Sequence, residues 1–264
     1  MYNVCYVNGF QTQPGESAEW ALANGGLLLH DRDGGLVVDP HWPDEYILDP
    51  GSAASRLAIF DRVAPVIRGC AAKGFDAIDL DNLDTAGRFT DAATGRIDPG
   101  GVLQLARMYV REAHELGLAV GQKNAAQLAA TGRSDLGFDF AIAESCAVYD
   151  ECAAFRAGYG EHVLQVEYTD ALPAGFDAVC DSADRAPLTI LRDRPSVPRR
   201  RRLRLRAVPR RGLSRLSRGV FPPRRHWAAD RGAAASGSRS AARWLQRGWG
   251  SAGRSAGRAG AHPC

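Results

Sequence analysis

Lysine is almost missing from this 264-residue chain: two lysines stand against 31 arginines. Long apolar runs are missing as well. No stretch reaches the roughly 18 apolar residues that a membrane span needs, so no spanning helix is expected. The opening MYNVCYVNGF has no basic start and no long apolar stretch, so the chain as written shows no secretory signal. There is no HExxH and no Cys/His ligand spacing, which leaves out a zinc site. No Gly-rich turn follows the first apolar strand, which leaves out a nucleotide-binding doubly wound sheet. What is present is 45% hydrophobic residues, enough for one large domain with its own core or two small ones. Disordered, collagen-like and disulfide-only chains are excluded.

The small net charge of +3 hides two unlike segments. Residues 195–264 hold 18 Arg, no Lys and one acid, Asp230, and carry +17. Residues 1–194 carry −14. The acidic part repels nucleic acid and anionic membranes and favours cationic ligands. The Arg-rich segment has no lasting helical or strand period and cannot bury enough apolar area to offset its ordering entropy. It reads as a basic arm for nucleic acid, as a disordered tail, or as the product of a shifted reading frame. The abrupt switch from LTILRDR to PSVPRRRR and the Arg/Ala/Gly/Pro/Ser composition favour the last. A GxGxxG at Gly248, Gly250 and Gly253 follows no strand and is a chance match. The expected division is a globular domain over 1–194 and a low-complexity tail over 195–264, the tail forming no part of the functional unit.

Within 1–194, short apolar runs alternate with helical stretches. NVCYVN (3–8) reads as a strand. LLLHDRDGGLVVD (27–39) reads as a weak hairpin or strand pair broken at Gly34-Gly35. Residues 52–73 read as a helix with Leu57, Phe60, Val63 and Ile67 on its apolar face and a kink at Pro65. FDAIDLDN follows as a strand. Asp98-Pro99 then opens a helix, with Asp as cap and Pro in the first turn. LAVGQKN, FDFAIAES, HVLQVEY and APLTILR read as further strands, and FDAVCDSA as a short helix. Repeated strand–helix–strand units with apolar strands predict a parallel sheet covered by helices.

Each strand ends in polar groups, where a β/α barrel or open α/β sheet builds its site. The groups are Asp79, Asp81 and Asn82, then Lys123 and Asn124, then Glu144, then Glu167 and Tyr168. Four successive strands ending this way favour a barrel. Alternation puts Asp79 and Asp81 on one face, where mutual repulsion raises the pKa of one of them. Converging carboxylates suit acid/base work on a sugar, one acid protonating the leaving oxygen. Some of these acids orienting Lys123 or capping helices is the structural alternative. A Mg²⁺ site at the mouth is a second functional reading. The run 79–84, ending at Asp84, lacks the spacing of an EF-hand. Lys123 as a Schiff-base nucleophile is disfavoured, because the acids around it raise its pKa; pairing with a carboxylate or a sugar hydroxyl suits it better. Tyr6 and Tyr168 end their strands and can stack on sugar rings or simply pack. Cys146 and Cys152 bracket a short loop after Glu144, which fits a disulfide pinning that loop; two free thiols are the alternative.

GFDAIDLDNLD, VGQKNA, FAIAESCAVYDEC and VLQVEYTD together resemble the endo-α-1,4-polygalactosaminidases, glycoside-hydrolase family 114, with its spherulin-4-like members. The resemblance covers residues 2–194. It implies a (β/α)8 barrel, usually secreted, that hydrolyses α-1,4-linked galactosamine polymers without a cofactor. It implies Asp81 and Glu144 as the catalytic pair, with Asp79, Asn82, Asp84, Lys123, Asn124, Glu167 and Tyr168 lining the cleft. A cationic amino-sugar polysaccharide is then the partner of a monomeric enzyme that has no membrane or nucleic-acid partner. Three departures stand out. Leu80 replaces a usual proline, the first barrel strand is expected to be missing at the N-terminus, and the Arg-rich segment replaces the family's C-terminal stretch. A non-catalytic sugar-binding barrel and nucleic-acid binding through the tail are the rival functions.

Overall fold

The computed structural model describes residues 2–172, 174–194 and 262–263. In chain order the elements are β1 (Val4–Asn8), α1 (Ser17–Asn24), α2 (Ala53–Ala72), β2 (Ala77–Asp81), α3 (Thr85–Arg88), the small hairpin β3 (Thr90–Asp91) and β4 (Gly95–Arg96), α4 (Pro99–Glu115), β5 (Ala119–Lys123), α5 (Ala129–Thr131), β6 (Phe140–Glu144), α6 (Cys152–Tyr159), β7 (Val163–Tyr168), α7 (Gly175–Asp181), β8 (Leu188–Arg192) and β9 (His262–Pro263). One sheet runs β1-β2-β5-β6-β7-β8-β9, and every pairing from β1 to β8 is parallel. The fold is thus α/β, a parallel sheet with flanking helices. Among the described residues it has six of the eight parallel strands that the resemblance implies.

The Arg-rich segment contributes one described element, the two-residue β9, which pairs antiparallel with β8. At these two residues the segment pairs with the sheet. Pro263 is tolerated there because the strand is an edge. The rest of the expectation for 195–264 lies outside the described residues.

Local chemistry explains most of the elements. Ser52 caps α2 in a reciprocal capping box with Ser55. Asp98 accepts hydrogen bonds from the backbone of Gly100 and Gly101 at the start of α4. Helix α2 runs on through Pro65. Its buried face is Ile59, Val63, Ala64, Ile67 and Cys70, and Leu57, expected inside, is exposed. The segment read as a hairpin around Gly34-Gly35 forms isolated antiparallel bridges instead, His30 with Leu36 and Val38 with Tyr46.

Because side chains alternate along a strand, the register sorts the sheet into two faces. The outer face, with Val7, Ile78, Leu80, Val120, Ala141, Ala143 and Val163, packs in the main core with Ile59, Ile67, Leu105, Tyr109 and Phe155 of the helices. The inner face has a small apolar floor of Ala77, Phe140 and Ile142, joined by Val4, Ala119 and Leu164. Gly121 sits in this face because the Phe140 ring lies where its Cβ would be, 2.7 Å from the nearest ring atom. Above the floor the inner face becomes polar.

A disulfide joins Cys5 of β1 to Cys70 of α2, 65 residues apart, and a second joins Cys146 to Cys152, with Cα atoms 4.9 Å apart. The second is the pairing that the short loop suggested. The first ties an edge strand to the helix behind it. Closing the longer loop removes more entropy from the unfolded chain, about 4 kcal/mol against about 2 for the short loop in the chain-entropy account. Urea unfolding of the Cys5→Ala/Cys70→Ala double variant is therefore expected to show the larger loss. An equal or larger loss in Cys146→Ala/Cys152→Ala would contradict this ranking.

Candidate active site

The polar part of the inner face is built from the last residues of neighbouring strands. Asn8 ends β1, Asp81 ends β2, Lys123 ends β5, Glu144 ends β6 and Tyr168 ends β7. At three of these ends the chain leaves the sheet through a left-handed residue: Asn82 at φ 63°, Asn124 at φ 47° and Ser145 at φ 57°. Asn adopts that conformation more readily than most residues. The turn thus begins directly after each functional side chain, and the side chain keeps its strand-fixed direction.

Lys123 is the hub. Its Nζ lies 3.3 Å from Asp79 Oδ2, 3.4 Å from Asp81 Oδ1 and 3.6 Å from Glu144 Oε2. Asp81 Oδ1 and Glu144 Oε2 are therefore no farther apart than the last two distances laid end to end. Burial alone would push the pKa of the Lys123 ammonium down, but the three carboxylates outweigh it and hold it above the ordinary lysine value. Asp79 is pushed up to about 6: burial is the main cause, Lys123 opposes it, and the charges of Asp81 and Glu144 add to it. One of its oxygens, Oδ1, is buried without a hydrogen-bond partner. The ammonium stands where a Mg²⁺ would have to sit between these carboxylates.

Glu144 is held from three sides. Lys123 approaches Oε2, the Tyr168 hydroxyl donates to Oε1 at 2.5 Å, and the Glu144 backbone N–H donates to Asn124 Oδ1 at 2.9 Å. The Tyr168 pKa is pushed up to about 12, by burial first and then by Glu144. Arg194 lies over the Tyr168 ring, 4.2 Å from its centroid. Tyr168 therefore orients a carboxylate and is no open stacking platform, because both its hydroxyl and one ring face are engaged. Tyr6 is half-exposed on the inner face, in register with Asp79. Burial, followed by the charge of Asp81 and a hydrogen bond with it, drives its pKa well up.

The other expected residues do different work. Asn124 fixes the end of β6, as above. Asn82 donates to Asn8 Oδ1 at 2.9 Å and accepts from Arg88 at 3.3 Å. Asp84 pairs with Arg88 at 3.2 Å. Glu167 is the clear correction. It precedes Tyr168 on the same strand, so alternation turns it to the outer face. There it is fully buried and accepts from Ala147 N–H and Gln165 Nε2. It anchors the loop that follows Glu144 and does not line the cleft. Glu167 also lies close to Cys146 and Cys152, but those sulfurs are bonded to each other. A cavity of about 190 Å³ lies on this outer side, lined by Cys146, Gln165, Val179 and Arg185, and none of the inner-face carboxylates lines it.

Three groups near the mouth escaped sequence reasoning. Asn8 ends a strand just as Asp81 does, and that position was the signal for it. Asp39 is fully buried; burial pushes its pKa up, but hydrogen bonds from Arg88, the His41 backbone and Gln11 outweigh this and lower it. Glu45 is buried, with Oε2 accepting from Asn8 Nδ2 at 3.1 Å. Its pKa is pushed up to about 7, chiefly by burial and then by the charges of Asp81 and Asp39, with the Asn8 hydrogen bond opposing. Both acids sit in a segment with no motif and only isolated bridges.

Carboxylates gathered at the carboxyl end of a parallel sheet are the equipment of sugar hydrolysis, and the comparisons with known proteins agree. The sequence model of Glycoside-hydrolase family GH114 matches residues 1–202, and the chain belongs to that family. The match runs a short way into the Arg-rich segment. No curated protein sequence matches the chain. Among solved structures, Aspergillus fumigatus Ega3 in complex with galactosamine is similar, with 20% identity over 73% of this chain and 74% of that chain and a TM-score of 0.56. The glycoside hydrolase domain of PelA from Pseudomonas aeruginosa is 13% identical over 73% of this chain and 78% of that chain, with a TM-score of 0.45. The likeness to Ega3 supports the barrel-like fold. No helix among the described residues is long and apolar enough to cross a membrane.

The raised pKa of Asp79 has a consequence for stability. The folded state binds its proton more tightly than the unfolded state, so stability falls as pH rises from about 4 to about 6 and stays reduced above that. Asp79→Asn is expected to unfold at higher urea relative to the parent at pH 7 than at pH 4, with a relative gain of up to about 3 kcal/mol. A constant difference across that window would show that Asp79 titrates normally.

Proposed function

We propose that this glycoside hydrolase cleaves α-1,4-linked galactosamine polymers from within, with Asp81 and Glu144 as its catalytic carboxylates. The observation that carries the reading is the convergence of both on Lys123 Nζ at the mouth of the sheet. Their shared lysine keeps them within the span that two-carboxylate glycosidases use. One protonates the leaving oxygen as the other attacks the anomeric carbon to form a glycosyl-enzyme; water, deprotonated by the first, then displaces the second carboxylate and restores both groups. Lys123, Tyr168 and the Asn124 turn position the pair and touch no bond that breaks. Retention of configuration is the outcome we assign, so the first-formed product keeps the α anomer.

The substrate class rests on charge and on likeness. Residues 1–194 carry −14, which suits a polymer of free amines. Ega3, similar in fold, was solved with galactosamine. The reading includes secretion, a single-chain enzyme and no cofactor. It treats residues 1–194 as the working unit.

Glu144→Gln and Asp81→Asn are each expected to lower release of reducing ends from de-N-acetylated α-1,4-galactosaminan by about a thousandfold or more. Polymer binding, followed by pelleting with insoluble polymer, should remain. Full hydrolysis by either variant would remove that residue from the pair. Binding without hydrolysis by the parent chain would instead favour a non-catalytic sugar-binding barrel. NMR of the first product decides the anomer.

A further inference from the structure

Among the described residues, Glu45 differs from the other acids of the mouth in having no cationic partner. Asp79, Asp81 and Glu144 share Lys123, and Asp39 and Asp84 share Arg88. Among the described residues no lysine, arginine or histidine forms an ion pair with Glu45. Yet it is 8% exposed. A carboxylate taken out of water without a cationic partner is costly, and a ligand cation would offset that cost.

Its position is held from both ends. The backbone is fixed by the Glu45 N–H donating to Trp42 O at 2.9 Å and the Asp39 N–H donating to Glu45 O at 3.0 Å. The carboxyl is fixed by Asn8, the strand-end residue in register with Asp81. Asn8 is in turn held by Asn82, whose amide donates to it. Asp81 of the inner face lies close enough to raise its pKa, as do Asp39 and Asp44, and Glu45 raises that of Tyr6 on the inner face. Asn8 engages Oε2, and nothing among the described residues donates to Oε1. On the Asp81 side the mouth thus has one fixed carboxylate that no cation among the described residues uses.

We propose that Glu45 is the specificity residue that takes the free ammonium group of an amino sugar bound beside Asp81. This deepens, and rests on, the reading of the chain as a hydrolase of galactosamine polymers. The ammonium supplies the cation that Glu45 lacks, in a charge-assisted hydrogen bond shielded from bulk water. An N-acetylated sugar brings an amide without charge and with a larger group, so it leaves the carboxylate unpaired.

The test uses the full chain and two probes, an α-1,4-galactosamine oligomer with free amines and its fully N-acetylated counterpart, with binding measured by calorimetry. The parent chain is expected to bind the free-amine oligomer about tenfold or more tightly than the acetylated one. Glu45→Gln, which can still accept from Asn8, should bring the two affinities within about twofold. In hydrolysis of the free-amine polymer the same variant should raise KM while kcat changes little. Glu45→Asp keeps the charge on a shorter stem, should discriminate between the parent and Glu45→Gln, and decides the matter if Glu45→Gln fails to fold. Equal affinity of the parent chain for both oligomers overturns the proposal. So does full discrimination kept by Glu45→Gln or Glu45→Asp, or a loss in kcat with KM unmoved. Failure of the parent to hydrolyse either polymer counts against the functional reading alone, because the binding comparison still decides the role of Glu45.

Discussion

One ammonium group holds the mouth of this sheet together. Asp79, Asp81 and Glu144 would repel one another if they stood alone on the inner face. The strand order places β5, with Lys123, between β2, with the two aspartates, and β6, with the glutamate. The cation therefore lies between its counter-charges because of topology, and no loop has to fold over to bring it there. Its burial is tolerable because three carboxylates surround it. Asp79 gives the clearest sign of the balance: even beside the ammonium, it is held partly towards the neutral form.

The outer face of the same strands supplies the matching rigidity. Two of the strands that end in an inner-face functional group, β5 and β7, also carry a buried polar residue one position earlier, on the outer face. Gln122, next to Lys123, accepts from the Tyr159 hydroxyl at 2.6 Å and donates to the carbonyls of Asn124 and Ala125. Glu167, next to Tyr168, accepts from Ala147 N–H in the disulfide-closed loop that follows Glu144. Gln165 accepts from Ala186 N–H and from Thr189. These bonds satisfy buried polar atoms and tether the turns that leave the strands. In β5 and β7 the inner-face residue is thus backed by a hydrogen-bonded neighbour on the outer face.

Strand geometry also explains which parts of the site could be read from the amino-acid order. Strands ending in Asp81, Lys123 and Glu144 were legible, because apolar runs that stop at charged groups mark the carboxyl ends of a parallel sheet. The short Cys146–Cys152 loop was legible because six residues leave few other partners within reach. Glu167 was misplaced because it is a polar strand-end residue like the others. Strict alternation against Tyr168 separates the two, since adjacent residues cannot share a face. Cys5 and Cys70 gave no pairing signal, being 65 residues apart and brought together only when α2 packs behind β1. Glu45 was invisible for a different reason. Its segment has no period, and its importance comes from Asn8 and Asp81, which meet it only in three dimensions.

The charge pattern completes the argument. Residues 1–194 carry −14, but charges spread over a surface are screened within about 8–10 Å at physiological salt. They can draw a cationic polymer towards the protein without choosing where it binds. Selection needs a carboxylate that is fixed, partly dry and unclaimed. At the mouth, Lys123 already claims three acids and Arg88 two more. Tying those acids to protein cations keeps them in place, yet it also withdraws them from competition for the amines of the proposed substrate. Glu45 stands outside both clusters, so under the proposed reading it is the group in which the general attraction of an acidic domain becomes a preference for one position on the sugar.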